Sequence, residues 1–191
     1  MKKLSTYLFL ILFSFSAPSF ADDISDFQIE GVSIGDSLLD YMSEEEIKEN
    51  VGFVYEDKKF TVSTYKESTE TYNWGILVEY KSNDQTYKIY GATGNINFSN
   101  NIESCYEKQD EIEKEISPMF NKSKIKKFDI TPTGNEDGST YKQTQFYFDG
   151  GDATSVDCYY FPNTPSQNHL KVTMTSEELQ WYLETLGRGD M

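Results

Sequence analysis

The sequence predicts an α+β fold: an antiparallel sheet of six to seven strands with helices packed on one face, in an order that hints at two αβββ units followed by a C-terminal helix. Three observations point there. Aromatic residues alternate with Thr, Lys, Gln and Ser over short stretches, the pattern of half-buried antiparallel strands. Two segments, Ile102 to Phe120 and Leu179 to Leu186, repeat apolar residues at helical spacing. Between the strand candidates stand turn residues rather than helices, which excludes the βαβ alternation of a parallel sheet.

Ser37 to Asn50 reads as helix in two short pieces, with Leu38, Leu39 and Met42 on one face and Ser43-Glu44-Glu45-Glu46 as a capping box. Three strand candidates follow. Lys59 to Lys66 places Phe60, Val62 and Thr64 on one side, and Trp74 to Lys81 and Gln85 to Gly91 flank the turn Ser82-Asn83-Asp84. Gly94-Asn95 reads as a break, after which Ile96 and Phe98 lead out of the sheet.

Asn100 or Asn101 caps the long helix, whose apolar stripe is Ile102, Cys105, Tyr106, Ile112, Ile116, Met119 and Phe120, with Pro118 in the last turn. Strands resume at Ile125 to Ile130. After the polar loop Thr131 to Ser139, strands Thr140 to Phe148 and Thr154 to Phe161 flank Asp149-Gly150-Gly151-Asp152, a hairpin signal because glycine tolerates positive φ. Leu170 to Met174 is a short alternating strand. Thr175-Ser176-Glu177-Glu178 is a second capping box opening the final helix, which presents Leu179, Tyr182, Leu183 and Leu186 and stops at Gly187. The two helix starts at Ser37 and Asn101 lie about 64 residues apart, the spacing of two related units.

The N-terminus carries its own message. Lys2 and Lys3 precede an apolar run, Leu4 to Phe15, and Ser19-Phe20-Ala21 places small residues where a signal peptidase reads. The run is too short to span a bilayer comfortably, and no Cys sits at the cut, so residues 1–21 read as a cleaved secretory signal rather than an anchor or lipoprotein leader. The expectation is a periplasmic or secreted protein beginning at Asp22, a single α+β domain over 22–191 with subunits at 22–98 and 99–191. No membrane insertion is expected after cleavage.

Of 191 residues, 17 are Lys or Arg and 32 are Asp or Glu; losing Lys2 and Lys3 with the leader takes the formal charge from −15 to −17. A chain this acidic repels phosphates and anionic headgroups, which excludes nucleic acid and anionic lipid as natural partners. Cys105 and Cys158 are the only cysteines, and an even count in an oxidising compartment predicts a disulfide.

Four features carry possible chemistry. Gly35-Asp36-Ser37-Leu38 spells the nucleophile motif of GDSL hydrolases, with Ser37 early and His169 late in the chain. The position three before His169 is Ser166 where those enzymes carry Asp, Gly94-Asn95-Ile96-Asn97 departs from their oxyanion block, and the middle of the chain is strand-rich. Asp36 and Ser37 then serve as helix caps. Thr133 to Gly138 resembles the start of a calcium loop with Asn135 and Asp137 at ligand positions, but Thr133 and Thr144 stand where the strongest ligands belong, which leaves weak divalent-cation binding as an alternative. His169, the lone imidazole, cannot make a conventional zinc site, and no cofactor is implied. Tyr141, Tyr147, Tyr159, Tyr160 and Phe161 can form an aromatic platform, with Phe146 and Phe148 facing the core and Tyr147 facing out beside Tyr159 or Phe161.

The stretch Phe27-Gln28-Ile29-Glu30-Gly31-Val32-Ser33-Ile34-Gly35-Asp36-Ser37-Leu38, with Asn100-Asn101-Ile102-Glu103-Ser104-Cys105, resembles a group of small exported bacterial proteins with no assigned activity. More distantly, a glycine-containing start leading into a helix and a three-stranded meander is similar to the small domain of the outer-membrane assembly lipoprotein BamE, and in tandem to the β-lactamase inhibitory protein. That resemblance implies a binding role. The expected function is therefore an exported, non-enzymatic binding or assembly protein that engages a protein or glycan partner through a sheet face or loop, with Tyr147, Tyr159 and Phe161 as binding residues. The alternative is an esterase using Ser37 and His169.

Overall fold

The computed structural model describes Ile24, residues 27–99 and residues 101–187. The expected leader with its cut after Ala21, and Asn100 as a helix cap, lie outside the described residues. In chain order the elements are α1 (Glu44–Glu49), β1 (Val51–Val54), β2 (Phe60–Lys66), β3 (Ile76–Lys81), β4 (Ile89–Asn97), α2 (Ile102–Ile116), β5 (Lys124–Pro132), β6 (Thr140–Tyr147), β7 (Ala153–Tyr160), β8 (His169–Thr175) and α3 (Glu177–Gly187). The α+β class is as expected. The strands form one eight-stranded antiparallel sheet in the order β1-β2-β3-β4-β8-β7-β6-β5. Each half of the chain thus supplies a helix and a four-stranded meander, and the two meanders join through their last strands.

Eight strands replace the expected six to seven because β1 gave no readable pattern, and one expected strand, β4, runs further than its sequence suggested. β1 has no buried side, so Val51, Phe53 and Val54 give no alternating pattern to read. β4 runs straight through Gly94-Asn95, where the sequence suggested a break. Gly94 stays in the strand because the Tyr72 ring occupies its missing side chain's place, 2.4 Å from an ideal Cβ.

The sheet's two faces differ. On the first, Val78, Tyr80, Ala92, Val156, Cys158, Leu170, Val172 and Met174 meet Ile47 of α1, Cys105 and Ile116 of α2, and the N-terminal residues Ile24, Ile29, Val32 and Leu38 in one core. Phe120 stacks edge-on against Phe146 and Phe148, which both face this core as expected. Cys105 and Cys158 are disulfide-bonded across α2 and β7. Beside them the buried Gln109 amide donates to the carbonyl oxygens of Val156 (2.8 Å) and Lys142 (3.0 Å), fixing α2 over the sheet.

The expectation that all helices share one face is corrected here. α3 packs on the second face, where Leu179 and Tyr182 are buried with Phe60 and contact Tyr55 and Tyr90. Gly91 makes this possible: a Cβ there would lie 2.5 Å from Leu179 and 2.6 Å from the Glu79 carboxylate. The physical reason is apolar area left over. Phe60 and Tyr90 project opposite to the first core, and without a second cover their rings would face water.

Capping fixes each helix. At α1 the box closes in both directions, Ser43 Oγ accepting from the Glu46 N–H and the Glu46 carboxylate accepting from the Ser43 N–H. Asn101 caps α2. At α3, Ser176 Oγ accepts from the Leu179 N–H, and Asp152 Oδ1 of the β6–β7 hairpin accepts from the Glu177 N–H at 2.7 Å. The hairpin carboxylate therefore sets where α3 starts.

Two outcomes test this architecture. The protein denatured without reductant should titrate no free thiol, and the Cys105→Ser/Cys158→Ser pair should lose about 4 kcal/mol in chemical denaturation, the chain-entropy expectation for a closed loop of this size. Gly91→Ala should cost about 1–3 kcal/mol with the disulfide intact, because Leu179 and α3 must shift to admit the methyl.

Candidate functional site

The C-terminal half of the second face is built from polar residues, and strand register arranges them in rows. β6, β7 and β8 align Tyr141 with Tyr159 and His169, Gln143 with Asp157 and Lys171, Gln145 with Ser155 and Thr173, and Tyr147 with Ala153 and Thr175. Alternation sends Val156, Cys158, Leu170 and Val172 to the core and leaves these side chains on the other side. α3 covers only one end, where Gln180, Leu183 and Glu184 overhang the floor. Between helix and sheet lies a cleft of ≈ 350 Å³ whose lining includes Gln143, Gln145, Tyr147, Asp157, Tyr159 and Lys171.

Asp157 is the unusual member. It is 3% exposed, Ser155 Oγ donates to its Oδ2 at 2.9 Å, and its Oδ1 has no hydrogen-bond partner within bonding geometry among the described residues. Burial pushes its carboxyl up to about 6, against the opposing pull of the Lys171 ammonium, the Ser155 hydroxyl and the Gln143 side-chain amide. Three strands further along the same face, Glu79 lies under α3 with its Oε2 also lacking a hydrogen-bond partner among the described residues, and burial pushes it up to about 7, again with Lys171 opposing. One ammonium thus lies near two buried carboxyls.

Rings close the open end. His169 stacks on Tyr159 (centroids 5.1 Å apart, planes at 15°) and on Phe161 (5.9 Å, 16°), while Tyr141 and Trp74 flank the group. Its Nδ1–H donates to the Gln167 carbonyl oxygen at 2.7 Å, and burial holds the imidazole below its ordinary range. The Lys171 ammonium lies 5.6 Å from the Tyr159 ring centre. Burial also raises the Tyr159 and Tyr147 phenols.

Of the residues named from sequence, Tyr147 and Tyr159 line the cleft from opposite ends and Phe161 joins the stack beside it. Tyr160 points away from them, next to the core-facing Cys158 in the alternation. Ser37 and His169 do not meet. Ser37 bridges to Lys88 just before β4 and His169 pairs with Asn97 at its far end, so the strand separates them by roughly 30 Å. Ser37 Oγ donates to the Thr86 carbonyl oxygen and accepts from the Leu39 N–H, the work of a helix cap. Asp137 likewise accepts from the Ser139 N–H within its own turn. Among the described residues, no three His, Cys, Asp or Glu side chains are placed to hold a metal ion, and no helix is long and apolar enough to cross a membrane.

Sequence reading missed Asp157, Lys171, Gln143, Gln145 and Glu79. A signal was present: Asp157 in Thr-Ser-Val-Asp-Cys-Tyr and Glu79 in Ile-Leu-Val-Glu-Tyr are single carboxylates inside strands, where such residues are depleted. No family model, curated protein or solved structure matches this chain.

Both carboxyls sit higher in the folded than in the unfolded chain, so the folded state holds more protons between about pH 4 and pH 7, and stability falls as pH rises through that window. Asp157→Asn and Glu79→Gln should each raise stability at about pH 8, by on the order of 2 kcal/mol, and change little below about pH 4. Thermal denaturation across that range checks it; equal slopes for wild type and both variants would contradict the assignment.

Proposed function

We propose that this is an exported, non-enzymatic binding protein that engages its ligand or partner through the cleft on the second sheet face. The observation that carries the reading is Asp157, a buried residue of the cleft lining whose Oδ1 meets no hydrogen-bond geometry among the described residues, although the Gln143 amide acts on the same carboxyl beside Lys171 and Ser155. A native protein rarely leaves such a group unmet, and an external donor is the most economical partner. The setting agrees. The cleft combines a few convergent polar groups with aromatic side chains, the usual make-up of a binding site, and it sits on paired strands held by a disulfide-anchored helix, a preorganised floor.

The export reading rests on the leader-like N-terminus and the disulfide, since a bridge of this kind persists in oxidising compartments. The non-enzymatic reading rests on Ser37, whose hydroxyl is engaged in capping far from the imidazole.

Crystals soaked with small organic fragments should collect them between Tyr147 and Tyr159; a cluster on the first face would place the functional surface elsewhere. A fluorophosphonate probe should leave the folded protein unlabelled, and Ser37-dependent labelling would overturn the non-enzymatic assignment.

A further inference from the structure

The cleft's composition narrows what it can hold, on the reading that the second face is the binding surface. An anion would meet the Asp157 carboxylate in a chain of formal charge −15. A cation would meet Lys171, cross-strand neighbour of Asp157, whose ammonium already lies near the Tyr159 ring where a ligand cation would gain most. An apolar ligand would strand the Gln143, Gln145, Ser155 and Thr173 groups against a surface with no hydrogen bonds to offer. An extended peptide would seek an open strand edge, and β6, β7 and β8 are each paired on both sides.

A neutral polyol meets every condition. Its hydroxyls both donate and accept, matching a floor of amides and hydroxyls that do the same, and each can donate to a carboxylate. Its C–H faces are apolar and pack on aromatic rings, which the cleft supplies at both ends. The volume of ≈ 350 Å³ falls at the small end of ligand pockets, which run from about 300 to 1,000 Å³. We propose that the cleft binds a neutral sugar, with Asp157 Oδ1 accepting a hydrogen bond from a ring hydroxyl, Gln143 and Lys171 beside it, and the Tyr159 ring packed against a C–H face. Buried charge-to-hydroxyl hydrogen bonds discriminate strongly, so Asp157 sets which hydroxyl is read.

The test is a titration of the isotopically labelled, disulfide-intact protein with neutral hexoses, N-acetylhexosamines and their disaccharides, with spermidine and inorganic phosphate as charged probes, followed by amide NMR. At least one sugar should shift the amides of Gln143, Ser155, Asp157 and Lys171. Asp157→Asn should weaken that sugar about tenfold, the expectation for a hydrogen bond to a charged group, and Tyr159→Leu should abolish saturable binding. Circular dichroism and a normal thermal transition establish that both variants are folded, and Asp157→Asn is expected to be the more stable form near neutral pH. Sugar-independent spectra throughout the panel, or a sugar bound equally well by both variants, overturn the assignment. If spermidine or phosphate moves those same amides while no sugar does, the sugar assignment falls and the second face stands as a binding surface. If probes bind only on the first face, both readings fall.

Discussion

The antiparallel pairing of β4 with β8 is the constraint on which the rest depends. Seven residue pairs, from Gly91↔Thr175 to Asn97↔His169, join two meanders that would otherwise each expose a bare strand edge. The partners lie some 80 residues apart, so loop closure opposes the pairing until neighbouring contacts form. The core rewards it at once: Ala92, Ile96, Leu170, Val172 and Met174 enter a single apolar cluster only when both strands are in place. The same register brings Thr93 opposite Thr173 and continues the rows of the second face across the seam.

Two devices hold that register. The Cys105 to Cys158 bridge ties α2 to β7, the strand beside β8, and Gln109 bonds two carbonyl oxygens of the same sheet. On the other side α3 packs over Gly91, and its N-terminus is seated by Asp152 from the β6–β7 hairpin. A helix from the end of the chain thus reads the position of both halves. Glycine at 91 and 94 matters because each lets something large approach the sheet: Leu179 from one side and Tyr72 from the other.

The cleft follows from what α3 does not cover. Its apolar stripe meets Phe60, Tyr55 and Tyr90 and leaves the polar rows of β6 to β8 open. Gln143, Tyr159 and Lys171 stand beside Asp157, and the desolvation of its carboxyl outweighs what they and Ser155 offer it, which is why it sits high. Lys171 acts on both buried carboxyls, Asp157 and Glu79, without holding either of them low.

What the sequence determined by itself was local. Apolar spacing marked α2 and α3, Ser43 and Glu46 wrote the capping box of α1, glycines marked the 149–152 hairpin, and two cysteines in an otherwise cysteine-free chain implied their bridge. These signals are legible because helix period, cap chemistry and turn conformation depend on residues a few positions apart. The face on which α3 docks was not legible, since a stripe of Leu179, Tyr182 and Leu183 fits any apolar surface. Nor was the meeting of Asp157 with Lys171, or the distance between Ser37 and His169. Those depend on register between distant strands, where a shift of one residue turns every side chain to the opposite face, and only tertiary packing selects among such alternatives.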